Sequence, residues 1–193
     1  RALVVGDTKQ LRHYSFLAKN KERQLLTKHQ LADFHSGVVS YRDNSILDLS
    51  LQALNCQQQV AMLDEHFRSK PELIDFSNQQ FYQNKLKIMQ HRPCTRSGYL
   101  DVIRVNGERD SKGINQAETN AVIEAIQLQI SHDAQTDISH SIGIVSPFRH
   151  QADHIAKAIE ANFDDELVKK HNIRVATPFG FQGEERDIML ISF

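Results

Sequence analysis

From residue 60 to the end of this chain, short apolar runs alternate with amphipathic stretches of helical length. That alternation limits the fold more than any other feature. Residues 60–63, 99–105, 142–146, 173–176 and 188–191 read as strands. Residues 69–81, 115–130 and 149–163 read as helices. Ser69 and Glu72 have capping-box spacing around Pro71, and Asn115 and Glu118 open the second helix. The third carries an apolar stripe at Ala152, Ile155, Ile159 and Phe163. Strands this short, separated by helices, predict a mainly parallel α/β sheet with helices on both faces, in three layers. Ahead of it, residues 2–5 read as a buried strand running into Gly6-Asp7. Residues 15–58 are polar and weakly periodic, with one helix near 44–54, and read as a connector.

A chain of 193 residues can build one full core and part of a second element. Its net charge of −1 gives no overall attraction to nucleic acid, so any such contact must be local. No run reaches the length of a membrane span. Cys56 and Cys94 lack CxxC partners, which argues against zinc and makes a reducing, cytoplasmic setting the expectation. His150 and His154 stand four apart in HQADH, an echo of the H-E-x-x-H zinc helix. Gln151 replaces the glutamate base, and both histidines fall opposite the apolar stripe, so they read as surface residues and no metal site is expected.

In parallel sheets, ligands bind beyond the carboxyl ends of the strands, so chemistry is sought in the loops there. Gly6-Asp7-Thr8-Lys9-Gln10-Leu11 puts an amide, able to donate and accept, just past a strand end. VAMLDE, residues 60–65, is a tempting Mg²⁺ motif with Asp64 and Glu65 as its carboxylates. Such a pair needs a phosphate cradle, and none of the eight glycines opens a GxxxxGK[ST] loop. His66-Phe67-Arg68-Ser69 instead offers a ring that can stack on a base and a guanidinium that can fork onto phosphate oxygens. Gln182-Gly183-Glu184-Glu185 joins an amide, a flexible glycine and carboxylates able to accept from ribose hydroxyls. The bland alternatives are a solvated turn, a surface arginine and a polar loop.

In this order and spacing, the pieces resemble superfamily 1 helicases, in the branch of the nonsense-mediated-decay and Okazaki-processing enzymes. LVVGDTKQL resembles motif III at the end of the first RecA-like domain, and LDEHFRSKPELIDFSNQQFY resembles the motif IV block. IGIVSPFRHQADHI resembles the block usually reading ITPY with a downstream glutamine, and VATPFGFQGEERDIMLIS resembles motif V. The resemblance implies a RecA-like fold, with residues 1–14 closing the first motor domain, 15–58 connecting, and 59–193 forming the second domain short of motif VI.

It also implies roles. Gln10 would couple the γ-phosphate to the nucleic-acid site, Phe67 would stack on adenine and Arg68 would reach the γ-phosphate. Gln182, Gly183 and Glu185 would hold the nucleotide, and Ser146, Pro147 and Thr177 would lie along the nucleic acid. Arg12-His13 departs from a common proline pair. Glu184 stands where a basic or small residue is common, which would lower the local positive potential. The implied cofactor is ATP with Mg²⁺, whose ligands would lie before Arg1. The implied partners are single-stranded DNA or RNA and the absent first RecA-like domain, with no membrane. The expectation is a helicase or translocase parent and a catalytically silent isolated chain. The alternative is a RecA-like binding or scaffolding module without ATP turnover.

Overall fold

The computed structural model describes residues 2–31, 39–54, 59–90 and 98–193. They divide into two units, Arg1–Asp101 and Val102–Phe193. Cys56 and Cys94 fall outside the described residues.

The first unit contains α1 (Lys19–Lys28), α2 (Ile46–Ala53), β1 (Glu65–His66), α3 (Pro71–Tyr82) and β2 (Lys87–Ile88). Polar α1 lies in the stretch read as a plain connector and buries no side chain. In α2, Ser45 Oγ accepts from Asp48 N, and the Asp48 carboxylate accepts from Ser45 N at 2.8 Å. These reciprocal bonds satisfy first-turn donors that would otherwise lack partners. No such box forms at α3. Its N-cap is Lys70, Ser69 N donates to His66 Nε2 at 2.9 Å, and Glu72 Oε2 accepts from Tyr99 N at 2.9 Å. Pro71, already fixed near helical φ, starts the helix instead. Beyond α3, buried Asn78 bonds both N–H and C=O of Leu86, at 3.0 and 3.1 Å, and so turns the chain into β2. β1 and β2 pair in parallel, with Glu65 opposite Lys87 and His66 opposite Ile88. The result is a small β–α–β unit.

The expected strand at 60–63 is not formed. Its residues stay unpaired and Leu63 is 85% exposed. Residues 2–5 and 99–105 are likewise unpaired coil rather than strand.

The second unit runs through α4 (Gln116–Thr136), β3 (Ile142–Val145), α5 (Arg149–Asn162), α6 (Asp165–Lys170), β4 (Arg174–Ala176) and β5 (Ile188–Ile191). Asn115 caps α4 by accepting from Ala117 N and Glu118 N, as the sequence suggested, and α4 runs six residues past the expected end. The short α6, not foreseen, is capped by Asp164 Oδ1 accepting from Leu167 N at 2.8 Å. The strands form one parallel sheet in the order β4-β3-β5, Ile144 lying opposite Val175 on one side and Leu190 on the other.

Period-2 geometry sends Ile142 and Ile144 to one face of β3 and Gly143 to the other. The isoleucine face packs against Val122, Ile123 and Ile126 of α4 and Ile155 and Ile159 of α5. Each isoleucine so buried contributes about 1.5–3 kcal/mol. The opposite face is crossed by the loop from β4 to β5, whose Phe181 is buried over Gly143. A Cβ at residue 143 would stand 2.5 Å from Met189 Sδ and 3.0 Å from the Phe181 ring. Helices on both faces were expected. Among the described residues of this unit, α4 and α5 cover one face and a loop crosses the other.

At the amino edge of the sheet, buried Asp133 ties α4 to β3. Its Oδ2 accepts from His140 N at 2.8 Å, and its Oδ1 from Gln129 Nε2 at 2.7 Å and His140 Nδ1 at 2.8 Å. His171 Nδ1 lies 3.1 Å from His140 O and 3.4 Å from Asp133 Oδ2. Burial acts to raise the Asp133 carboxyl, but these donors outweigh it and hold the group down at about 2.

Candidate functional site

In the first unit, the motif segment is organised by Asp7. Its Oδ1 accepts from Lys9 N at 2.8 Å, and its Oδ2 accepts from Gln10 Nε2 at 3.2 Å and Tyr82 Oη at 2.6 Å. Partial burial tends to raise the Asp7 carboxyl, yet the Tyr82 hydroxyl, the Lys9 N–H and the Gln10 amide together bring it below its ordinary value. Burial, and then Asp7, push the Tyr82 phenol up to about 12. Gln10 is thus exposed but oriented by its own turn.

Phe67 and Arg68 follow β1 directly, at its carboxyl end. That position agrees with the sequence reading, although the strand supplying it is Glu65–His66 and not 60–63. Gln90, two residues past β2, donates Nε2 to Phe67 O at 2.6 Å and lies 3.3 Å from Arg68 O. The main chain is held while both side chains are exposed, Phe67 by 61%. Burial first, and the Arg68 charge second, lower the His66 imidazole from its usual value. Asp64 is paired with Lys87 at 2.8 Å, and Lys87 draws its carboxyl below the usual range. Among the described residues no three His, Cys, Asp or Glu side chains are grouped to hold a metal ion. The exposed ring and guanidinium fit the base and phosphate ends of a nucleotide.

In the second unit, Ser146, Thr177 and Ser192 follow β3, β4 and β5 at one edge of the sheet. Ser146 N donates to Ala176 O at 3.2 Å and Ser192 N to Val145 O at 3.0 Å, so the strand ends stay in register. Ser146 was expected to touch nucleic acid, but it is fully buried and its Oγ accepts from Phe148 N at 3.4 Å. It shapes the turn that presents exposed Pro147. Thr177 is half-buried, and its carbonyl accepts from Gly180 N and Phe181 N. Gln182 and Glu185 are exposed. Gly183, at φ +83°, has open space where a Cβ would stand, so conformation rather than crowding favours glycine there.

Glu184 is an ion-pairing residue of the crossing loop. It pairs with Arg174 Nη1 and, at 3.0 Å, with Arg186 Nη2, and both guanidinium groups lie near the Phe181 ring, at 5.7 and 5.8 Å. Two cations therefore meet one carboxylate. Glu184 joins the ends of the crossing loop.

One buried network was not foreseen. Gln151, 1% exposed, accepts from Asn115 N at 2.8 Å through Oε1, and its Nε2 lies within reach of Asn115 O, Thr119 Oγ1 and Ser192 Oγ at 3.2, 3.3 and 3.2 Å. Ser192 Oγ donates in turn to Glu118 Oε2 at 2.5 Å, and Asn115 Nδ2 donates to Glu118 Oε1 at 3.0 Å. The first turns of α4 and α5 are thereby joined to the end of β5. The available signal was Gln151 itself, an amide directly before the apolar stripe. His150 is exposed, and His154, half-buried, bonds Gln116 Oε1 at 2.8 Å.

Residues 43–193 match the family model described as AAA domain. The chain is 31% identical over 147 residues to "Helicase SEN1" of Saccharomyces cerevisiae, covering 68% of this chain and 6% of that protein. It is 27% identical over 156 residues to "Putative helicase mov-10-B.2" of Danio rerio, covering 69% of this chain and 15% of that protein. A shorter stretch, 53 residues, is 42% identical to "DNA polymerase alpha-associated DNA helicase A" of Saccharomyces cerevisiae, 28% of this chain and 7% of that one. The chain thus spans a small part of the length of these relatives. Among the described residues no helix is long and apolar enough to cross a membrane. By motif order, strand-end chemistry and these likenesses, the chain belongs to the AAA-domain family and, within it, to the superfamily 1 helicases of the Sen1 branch.

Proposed function

We propose that this chain joins the end of the first motor domain (residues 1–14), a connector (15–58) and most of the second motor domain (59–193) of an ATP-dependent helicase or translocase that moves on single-stranded DNA or RNA. In this reading Phe67 stacks on adenine, Arg68 meets the γ-phosphate, and Gln10 couples that phosphate to the nucleic acid. Gln182, Gly183 and Glu185 hold the rest of the nucleotide. Pro147, on a turn shaped by Ser146, and Thr177, just past β4, contact the nucleic acid. ATP, with Mg²⁺ bound by the other domain, supplies the phosphoryl group that is cleaved. The observation that carries the reading is the Phe67–Arg68 pair, its main chain held by Gln90 and its side chains exposed at a strand's carboxyl end. A guanidinium that reaches the phosphate from there stabilises charge that develops in the transition state.

The test uses the parent protein. Arg68→Ala should lower the nucleic-acid-stimulated ATPase kcat by on the order of 10³ with unchanged thermal melting and nucleic-acid affinity. Phe67→Ala should act mainly on KM, because a stacked ring contributes to ground and transition states alike. ATP turnover by Arg68→Ala at the parental rate would make Arg68 an ordinary surface residue. A parent with no turnover at all would favour the scaffolding alternative. The isolated chain, lacking a phosphate cradle, should hydrolyse no ATP above blank.

A further inference from the structure

Arg109 stands out among the cations of the second unit. It is exposed, and its guanidinium lies 4.1 Å from the centroid of the Phe148 ring. It has no hydrogen bond or ion pair with another described residue. Arg149, Arg174 and Arg186 each face a carboxylate. The loop carrying Arg109 is fixed from both sides. A Cβ on Gly107 would stand 2.4 Å from Asn115 Oδ1 and 2.7 Å from Ala117 Cβ, so only a glycine lets the chain lie against the start of α4. Asp110 closes the following turn by accepting from Lys112 N at 2.8 Å and Ile114 N at 2.9 Å, which engages that carboxylate within its own loop. Glu118, the nearest acid of α4's first turn, is engaged by Ser192 and Asn115. Phe148 follows Pro147 directly, on the turn past β3.

We propose that Arg109, held over the Phe148 ring, is a phosphate contact for single-stranded nucleic acid passing over Pro147 and Thr177. This rests on the nucleic-acid reading given above. The reason is physical. A guanidinium stacked on a ring keeps its N–H donors in one plane, directed outward, and has less rotamer freedom to lose when a phosphate binds. In a chain of net charge −1, a nucleic-acid contact has to come from such a local group. Phe148, 40% exposed and covered by the cation, acts as the platform for the arginine, not as a stacking surface for a base.

The test is fluorescence anisotropy of this chain with labelled oligo-dT and oligo-U of about 12 nucleotides, over a salt series. Arg109→Gln should weaken binding about fivefold or more. It should also flatten the slope of log Kobs against log salt by about 0.7, the single-strand value for one phosphate. Phe148→Leu should weaken binding and leave the slope in place, because the charge remains while its plane is lost. Equal losses on both oligonucleotides assign the contact to phosphate, and a loss on oligo-U alone would overturn that in favour of the 2′-hydroxyl. Binding by the unaltered chain with Arg109→Gln indistinguishable from it overturns the Arg109 proposal alone. No binding by the unaltered chain to either oligonucleotide overturns the nucleic-acid reading, and this proposal with it.

Discussion

Two carboxylates of the second unit show how neighbours, and not residue type, decide what a side chain does. Glu184 reads in sequence as an unwelcome negative charge on a loop meant for nucleotide. In place it binds Arg174 and Arg186 and secures the loop. Asp133 stands buried at a late position of α4. Its partners Gln129, His140 and His171 come from α4 itself, the start of β3 and the end of α6, a convergence that no local pattern announces. Asp133 also makes a pH prediction. Its carboxyl is depressed from the ordinary 3.8 to about 2, so its contribution to stability is complete above pH 3.8 and is lost as pH falls through 2. Asp133→Asn should therefore lower stability at pH 7 by about 1.5–3 kcal/mol, the usual range for a hydrogen-bonded charge. It should also flatten the fall in stability between pH 4 and 2. Urea unfolding followed by circular dichroism at several pH values reads both effects, and an unchanged acid limb would show that Asp133 is not the group responsible.

At the scale of elements, helices were more legible than strands. An amphipathic stripe such as Ala152, Ile155 and Ile159 carries its own period, and caps such as Asn115 mark its start, so α4 and α5 could be read locally. A strand also needs a neighbour. The runs at 60–63 and 99–105 have the right composition but pair with no strand, whereas residues 65–66, which look like an acidic motif, do pair. The candidate site divides the same way. That Phe67 and Arg68 stand beyond a strand was legible, and that Gln90 holds them was not, because the tether spans 23 residues. The crossing of β3 by the β4–β5 loop was hidden too, although Gly143 in the middle of an apolar run was its trace. Gly143→Val should bring the new side chain against Phe181, Met189 and Arg186, and cost roughly 1–3 kcal/mol or more by overpacking. A thermal melt matching the unaltered chain would mean that the loop can lift from the sheet.

The residues assigned to nucleotide are divided between the units, with Gln10, Phe67 and Arg68 in Arg1–Asp101 and Gln182, Gly183 and Glu185 in Val102–Phe193. The chain spans 6% and 15% of the length of two of its relatives. Within the second unit, the bond from Ser192 to Glu118 joins residues 74 apart. That distance sets a schedule during synthesis. Glu118 leaves the ribosome long before its partner, and at 5–20 residues per second the wait is about 4–15 s. Until then β5 is not paired with β3, and the first turns of α4 and α5 lack their bonds to Ser192. Nascent chains stalled with Ser192 still inside the exit tunnel should be cut within α4 by added protease, and chains extended by a linker that frees Ser192 should resist. Among the described strands of the second unit, the one that follows all the others in the chain is the one that completes the sheet, so the interval between Glu118 and Ser192 sets how long the unit stays open.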